Sequence, residues 1–290
     1  PAAFTCALLN SQPMGFYAPA QLVADARRHG VEVRPVDVQV SEFESSLECG
    51  TNGEPVLRLG LRLVKGLSTD DAHRLVQARS KNSSNSGLGP SPEYLRGMSR
   101  TAMARLAAAG ALDGVIGHRH LAHWQALGTE PLPPILAGAD FDEQMPALKE
   151  PTEAQNLVAD YASTGLTLGR HPMAILRERF DPLRVHRACD VESTPHRRVV
   201  RAAGLVVNRQ RPGTASGVIF MTLEDETGFI NLVVWPWVVE RSRALVVSSR
   251  LLLVHGIVER EGKVVHLIAG RLRDYSRWLG QLTTRSRDFH

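Results

Sequence analysis

Cysteine is scarce. Cys6, Cys49 and Cys189 are far apart and odd in number, which fits neither a disulfide framework nor a zinc site and points to a reducing, cytoplasmic setting. Long apolar runs are missing too. The longest candidate, residues 244–258, is broken by Ser248, Ser249, Arg250 and His255, whereas a membrane span needs ~18 uninterrupted apolar residues. Pro1-Ala2-Ala3-Phe4 has neither an initiator Met nor a basic segment ahead of an apolar one. A signal peptide is therefore not expected, and a cut within a longer protein is the simpler reading. Catalytic signatures are lacking as well. There is no Gly-x-x-x-x-Gly-Lys phosphate loop, no Gly-x-Ser-x-Gly elbow, no His-Glu-x-x-His and no Cys/His pairing that marks a nucleophile. His118, His120 and His123 have helical spacing but no acidic or Cys partner nearby, so a solvated helix face explains them better than a metal site. No catalytic or metal site is expected in this stretch.

What the chain does have is apolar mass and unevenly placed charge. With 290 residues and 43% hydrophobic content, it is long enough for two domains, each with its own core. The net charge is only +4, yet residues 54–128 and 197–290 are basic while 1–53 and 129–196 are acidic. Two basic blocks separated by an acidic one suggest two surfaces for a polyanion.

The periodicity predicts an α+β, multidomain protein, mostly helical at first and ending in a β-barrel. Residues 1–53 read as helix, helix and a strand over 31–38, followed by a loop at 44–54. Residues 54–128 open with an alternating stretch at 55–64. Helices follow at 69–79, after Ser91-Pro92, at 100–109 and at 118–127, with a Ser/Asn/Gly/Pro-rich loop at 81–92. Residues 129–196 read as a proline-rich linker with short helices, one opened by the Thr152/Gln155 capping box. From residue 197 the period changes to two. Five strands are expected at 198–207, 217–225, 228–235, 250–260 and 263–273, with one helix at 238–245, which is the order of an OB fold.

Two motifs carry candidate function. In a helix-hairpin-helix element, a glycine turn leads into a helix whose unpaired first amides face a phosphate. Lys65-Gly66-Leu67-Ser68 has that form, with small Ala72 behind it and Arg74 and Arg79 nearby. Ser68 replaces the usual second glycine, and an ordinary capped helix gives a similar pattern. Ser99-Arg100-Thr101 through Gly110-Ala111-Leu112 reads as a second, degenerate copy, or as a plain core helix. In the barrel, strand alternation puts Phe220, Thr222, Phe229 and Asn231 outward on the second and third strands, where OB folds stack bases. Arg209 and Arg211 are expected in the first loop, and Arg260 and Lys263 in the fourth. Trp235 is also read as outward, and Phe220 and Trp235 could instead cover the barrel beneath another segment. The Glu224-Asp225-Glu226 trio is explained by alternation and a tight turn.

The run from Asn10 to Tyr17, Asn-Ser-Gln-Pro-Met-Gly-Phe-Tyr, together with Asp25–Val38, Arg58–Leu67, Gly165–Pro172 and Leu223–Gly228, resembles the error-prone branch of the bacterial C-family DNA polymerases, relatives of the replicative alpha subunit. Arg285–His290 resembles the natural end of that branch. The resemblance spans nearly the whole chain and implies the end of a fingers domain, a helix-hairpin-helix domain, a linker and an OB domain. It implies DNA as partner, as primer–template duplex and as single strand, in damage-induced mutagenesis and translesion synthesis. Magnesium ions, held by palm carboxylates that would precede Pro1, would serve the parent enzyme, and this stretch would be inactive alone. Gln144-Met145-Pro146-Ala147-Leu148 is a poor match to a sliding-clamp peptide, so the clamp would be reached indirectly, through accessory mutagenesis proteins. A rival reading makes the barrel face and acidic linker a docking module for those proteins.

Overall fold

The computed structural model describes residues 1–14, 17–82, 93–95, 97–128, 147–213, 216–262 and 264–280. They divide into two compact units, Pro1–Leu168 and Gly169–His290.

In the first unit, α1 (Ala2–Asn10) and α2 (Pro19–Arg28) precede a three-stranded sheet of β1 (Val33–Arg34), β2 (Ser46–Cys49) and β3 (Pro55–Arg58), in the order β1-β3-β2. The strand expected over 31–38 is thus only two residues long, and the expected loop at 44–54 contains β2. That strand escapes a hydrophobicity reading because its pattern is inverted. Leu47 is exposed while Glu48 turns inward. The guanidinium of Arg58, on the central strand, explains the inversion. Its Nε and one terminal nitrogen donate to the two Glu48 carboxylate oxygens at 2.7 and 3.1 Å, and its other nitrogen donates to Pro35 O at 2.9 Å. Arg34 adds a further bond to Glu48 at 2.8 Å.

The alternating stretch at 55–64 is strand only to Arg58 and then closes into a 3-10 turn, Leu61–Leu63. Val56, Leu57 and Arg58 of the strand and Leu61 and Leu63 of the turn are buried. Gly60 allows the passage, because a Cβ there would lie 2.3 Å from the backbone of Glu44. The helices α3 (Thr69–Asn82), α4 (Arg100–Ala108), α5 (Asp113–Ile116), α6 (Arg119–Gly128) and α7 (Glu153–Ser163) complete the unit. Leu57, Leu61, Leu75, Leu106, Leu112 and Ala122 lie at the centre of one core. The Thr152/Gln155 capping box forms as expected. Arg119 joins α6 to α7, donating to Asn156 and to Asp160 at 2.6 Å.

The second unit starts with α8 (Pro172–Phe180) and α9 (Ala188–Ser193) and continues as a closed barrel. Its strands are β4 (Val199–Gln210), β5 (Ile219–Asp225), β6 (Gly228–Val234), β7 (Leu251–Glu261) and β8 (Val264–Asp274), in the order β4-β5-β6-β8-β7. All pairs are antiparallel except β6–β8. Two short helices, α10 (Pro236–Arg241) and α11 (Arg243–Ser248), stand where one helix was expected, and α12 (Ser276–Gly280) follows β8. Met221, Leu223, Ile230, Leu232, Val254 and Leu267 fill the barrel.

The acidic trio is structural. Asp225 is buried, and its Oδ1 accepts from the Thr227 amide at 2.7 Å, the Thr227 hydroxyl at 2.7 Å and the Gly228 amide at 3.1 Å. Its Oδ2 accepts from the Ala188 amide at 2.8 Å, at the start of α9, and from Arg177 of α8 at 3.3 Å. Arg177 also grips Glu226 through two bonds of 2.8 and 2.6 Å.

Removing one partner from a buried, charged network strands the others. Asp225→Ala should therefore lower the stability of the barrel unit by about 3–5 kcal/mol, as read by urea denaturation followed through tryptophan fluorescence. In the first unit, the hydrogen bonds from Arg58, reinforced by Arg34, hold the Glu48 carboxyl below its usual range against the opposing effect of burial. Glu48→Gln should cost about 1–3 kcal/mol at neutral pH. A depressed folded-state pKa means that the contribution is complete above the unfolded value of about 4.3. It is lost as pH falls through the folded value. The difference between the native protein and the variant should thus shrink on acidification, and denaturation curves at stepwise lower pH will check it.

Candidate nucleic-acid interface

The hairpin turn forms as the sequence predicts. Gly66 adopts φ +78°, and the Leu67 amide donates to Val64 O at 3.2 Å. Ser68 Oγ accepts the Asp71 amide at 3.0 Å, which caps α3. The same turn recurs at Leu95–Ser99. Gly97 adopts φ +89°, Met98 donates to Leu95 O at 3.2 Å, and Ser99 Oγ accepts the Ala102 amide at 3.1 Å. The second copy therefore begins before Ser99, with Gly97 as its turn glycine. The signal was present in the sequence, since Leu-Arg-Gly-Met-Ser repeats Val-Lys-Gly-Leu-Ser. In each copy the amides just after the serine lie outside the helical ladder.

The copies differ in charge. Asp70 and Asp71 occupy the first turn of α3 and oppose an anion there, whereas the first turn of α4 has no acid and contains Arg100 and Thr101. Lys65 is partly committed elsewhere. Its Nζ donates to Tyr161 O at 2.8 Å and its amide to Ser163 O at 2.8 Å, which places a cation at the C-terminal end of α7. Arg74 is exposed and lies 3.7 Å from Asp71. Arg79 ties α3 to the carbonyls of Val38 and Ser41 and to Glu42.

On the barrel, the predicted inside and outside hold along both strands. Met221, Leu223, Ile230 and Leu232 are buried. Phe220 is 37% exposed and Phe229 48%. Thr222 lies in register with Asn231 across β5 and β6, and the row extends to Asn208 of β4 and His266 of β8. Asn208 and His266 were not candidates from sequence, because only the pairing register brings four separate strands into one row. Trp235 and Trp237 are also exposed, and Arg241 lies over the Trp237 ring at 5.3 Å.

Two of the expected loop arginines lie in strands instead. Arg209 is near the end of β4 and donates to Val246 O at 2.7 Å and to Ser249 O, at the C-terminal end of α11. Arg260 is in β7 and donates to Thr194 O at 3.0 Å and to Glu192 O, at the end of α9. Both act as helix-end cations. Arg211 does follow β4, and it is exposed. Lys263 and residues 144–146 of the clamp-like segment lie outside the described residues.

His118 and His120 bond the carbonyls of Leu148 and Lys149. Among the described residues, no group of three or more His, Cys, Asp or Glu is placed to hold a metal ion. Among the same residues, no helix is long and apolar enough to cross a membrane.

Comparison with known proteins agrees with this geometry. A helix-hairpin-helix family model matches residues 30–122, and an OB-fold nucleic acid binding domain model matches residues 200–275. The error-prone DNA polymerase of Alkalilimnicola ehrlichii is 55% identical over 100% of this chain, and that of Methylococcus capsulatus is 46% identical over 100% of it. The chain spans 28% and 29% of those two relatives, respectively. Among solved structures, asparaginyl-tRNA synthetase from Pyrococcus horikoshii aligns with 31% of this chain and 22% of its own, at 26% identity and a TM-score of 0.27, a superposition too weak to bear on function. Alike in sequence from end to end, and folded as a hairpin-bearing helical unit and an OB-like barrel, this chain is a homologue of part of the error-prone DNA polymerases.

Proposed function

We propose that this chain is the DNA-gripping portion of an error-prone, DNA-directed DNA polymerase that works in damage-induced mutagenesis and translesion synthesis in the cytoplasm. The parent enzyme would join deoxynucleotides with the help of magnesium ions held by carboxylates outside this chain. The observation that carries the reading is the repeated turn. Two Gly-x-Ser elbows, at Gly66–Ser68 and Gly97–Ser99, each open a helix that the serine caps, in a chain whose second unit is an OB barrel.

In this reading the duplex backbone rests on the two elbows, with Arg100 and Thr101 at the better-charged one. A template single strand lies on β5 and β6, with bases on Phe220 and Phe229 and polar contacts from Thr222, Asn231 and Arg211. Arg209 and Arg260 support that face by fixing α11 and α9. These contacts position DNA without reading its sequence. A second reading draws on Trp235 and Trp237, which are exposed as Phe220 is. Large exposed apolar side chains suit a protein partner, and in that case the barrel would recruit accessory mutagenesis proteins that link the polymerase to the sliding clamp.

Separate substitutions should distinguish these roles. Phe220→Ala with Phe229→Ala should weaken single-strand binding by roughly 1–3 kcal/mol per stacked base and leave blunt-duplex binding unchanged. Arg100→Glu should do the reverse. Fluorescence anisotropy with labelled oligonucleotides is the measurement. Equal single-strand affinity in the double Phe variant would overturn the stacking face and favour the docking module.

A further inference from the structure

A cationic surface lies on β4, β7 and β8, away from Phe220 and Phe229 in the pairing register. Arg201 of β4, His255 of β7 and Arg271 of β8 stand directly across from one another in a single row, and Arg273 lies opposite Leu253 in the next. With Leu183 and Tyr275 these residues line a pocket of about 210 Å³. Like charges set side by side across strands destabilise a sheet, so such a row needs counter-charge. Among the described residues, none forms a salt bridge with Arg201, Arg271 or Arg273. Asp274, the acid nearest in sequence, is turned away, accepting from the Ser276 amide at 2.8 Å and from the Ser276 hydroxyl. Arg201 is held in place by a 2.9 Å bond to Leu183 O.

The electrostatics of the row fit an anion. Burial first, and then Arg201, Arg273 and Arg271, hold the His255 imidazole below its ordinary pKa. It is therefore neutral near pH 7 and has one N–H to donate. Guanidinium forks match the paired oxygens of a phosphate. A concave site lined by one sign of charge concentrates such a ligand. Leu183 and Tyr275 supply an apolar wall of the kind that accommodates a sugar or base edge rather than a bare ion.

We propose that this pocket binds a phosphate of the nucleic-acid backbone, so that a strand crosses the β4–β7–β8 side of the barrel as well as the β5–β6 face. The assignment goes beyond the proposed function and rests on it only for the source of the phosphate.

The test uses the full chain and its Arg271→Ala/Arg273→Ala variant. The first measurement follows the His255 imidazole resonances by NMR during titration with inorganic phosphate. The second is single-strand anisotropy across a salt series, with Phe220→Ala/Phe229→Ala as the comparison. The expected result is a saturable His255 shift that is absent from the Arg variant. Single-strand affinity should fall about tenfold in the Arg variant, and its log K against log salt slope should become shallower by about 0.7 for each phosphate that is no longer neutralised. The Phe variant should keep the native slope. A native salt slope and affinity in a folded Arg variant would overturn the proposal, even if free phosphate shifts His255. If the native chain binds no single strand at all, the DNA reading and this assignment both fall. Weaker binding in the Phe variant together with native affinity and slope in the Arg variant would overturn only this assignment.

Discussion

The barrel unit depends on one buried carboxylate. Asp225 closes the β5–β6 turn with one oxygen and joins the first amide of α9 and the Arg177 guanidinium with the other. Its position sets the hairpin that displays Phe220 and Phe229, and it seats α9, whose far end is held in turn by Arg260. A carboxylate satisfied by three backbone amides, a hydroxyl and an arginine is worth far more in place than its charge alone suggests. The strongest local run of acids in the barrel therefore serves architecture, and the chemistry of its outer face is left to aromatic, amide and hydroxyl groups.

The helical unit solves a related problem with glycine. Each elbow must reverse the chain tightly and still leave the first amides of the next helix accessible. A residue at positive φ followed by a capping serine meets both needs. Gly66 is further constrained by Arg105, whose Nε would lie 2.9 Å from an added Cβ, whereas an added Cβ at Gly97 would meet nothing within 4 Å. The first elbow lies against Arg105 and is flanked by acids, while the second is flanked by Arg100. The geometry is duplicated and the charge has diverged.

Much of this was legible in the sequence, and the exceptions have physical causes. The five barrel strands and the inward faces of β5 and β6 follow from the period of two, and the capped helices follow from Ser68, Ser99 and Thr152. Strand β2 was hidden because an inward Glu48 paired to Arg58 reverses the usual code. The stretch at 55–64 alternates in sequence but bends at Gly60 into a turn whose Leu61 and Leu63 are both buried. Arg209 and Arg260 lie in strands, and a one-letter code does not show which carbonyls a long side chain will reach. The row of Arg201, His255 and Arg271 was invisible because its members are brought together only by strand register.

On the function proposed above, two separate surfaces of this chain act on one DNA. The most direct measurement is the affinity of the intact chain for a recessed primer–template, compared with its isolated single-strand and blunt-duplex parts, by anisotropy at several salt concentrations. The junction should bind more tightly than either part, with a salt slope steeper than either alone, because more phosphates release their counterions. A junction bound no better than a single strand, with the same salt slope, would contradict it.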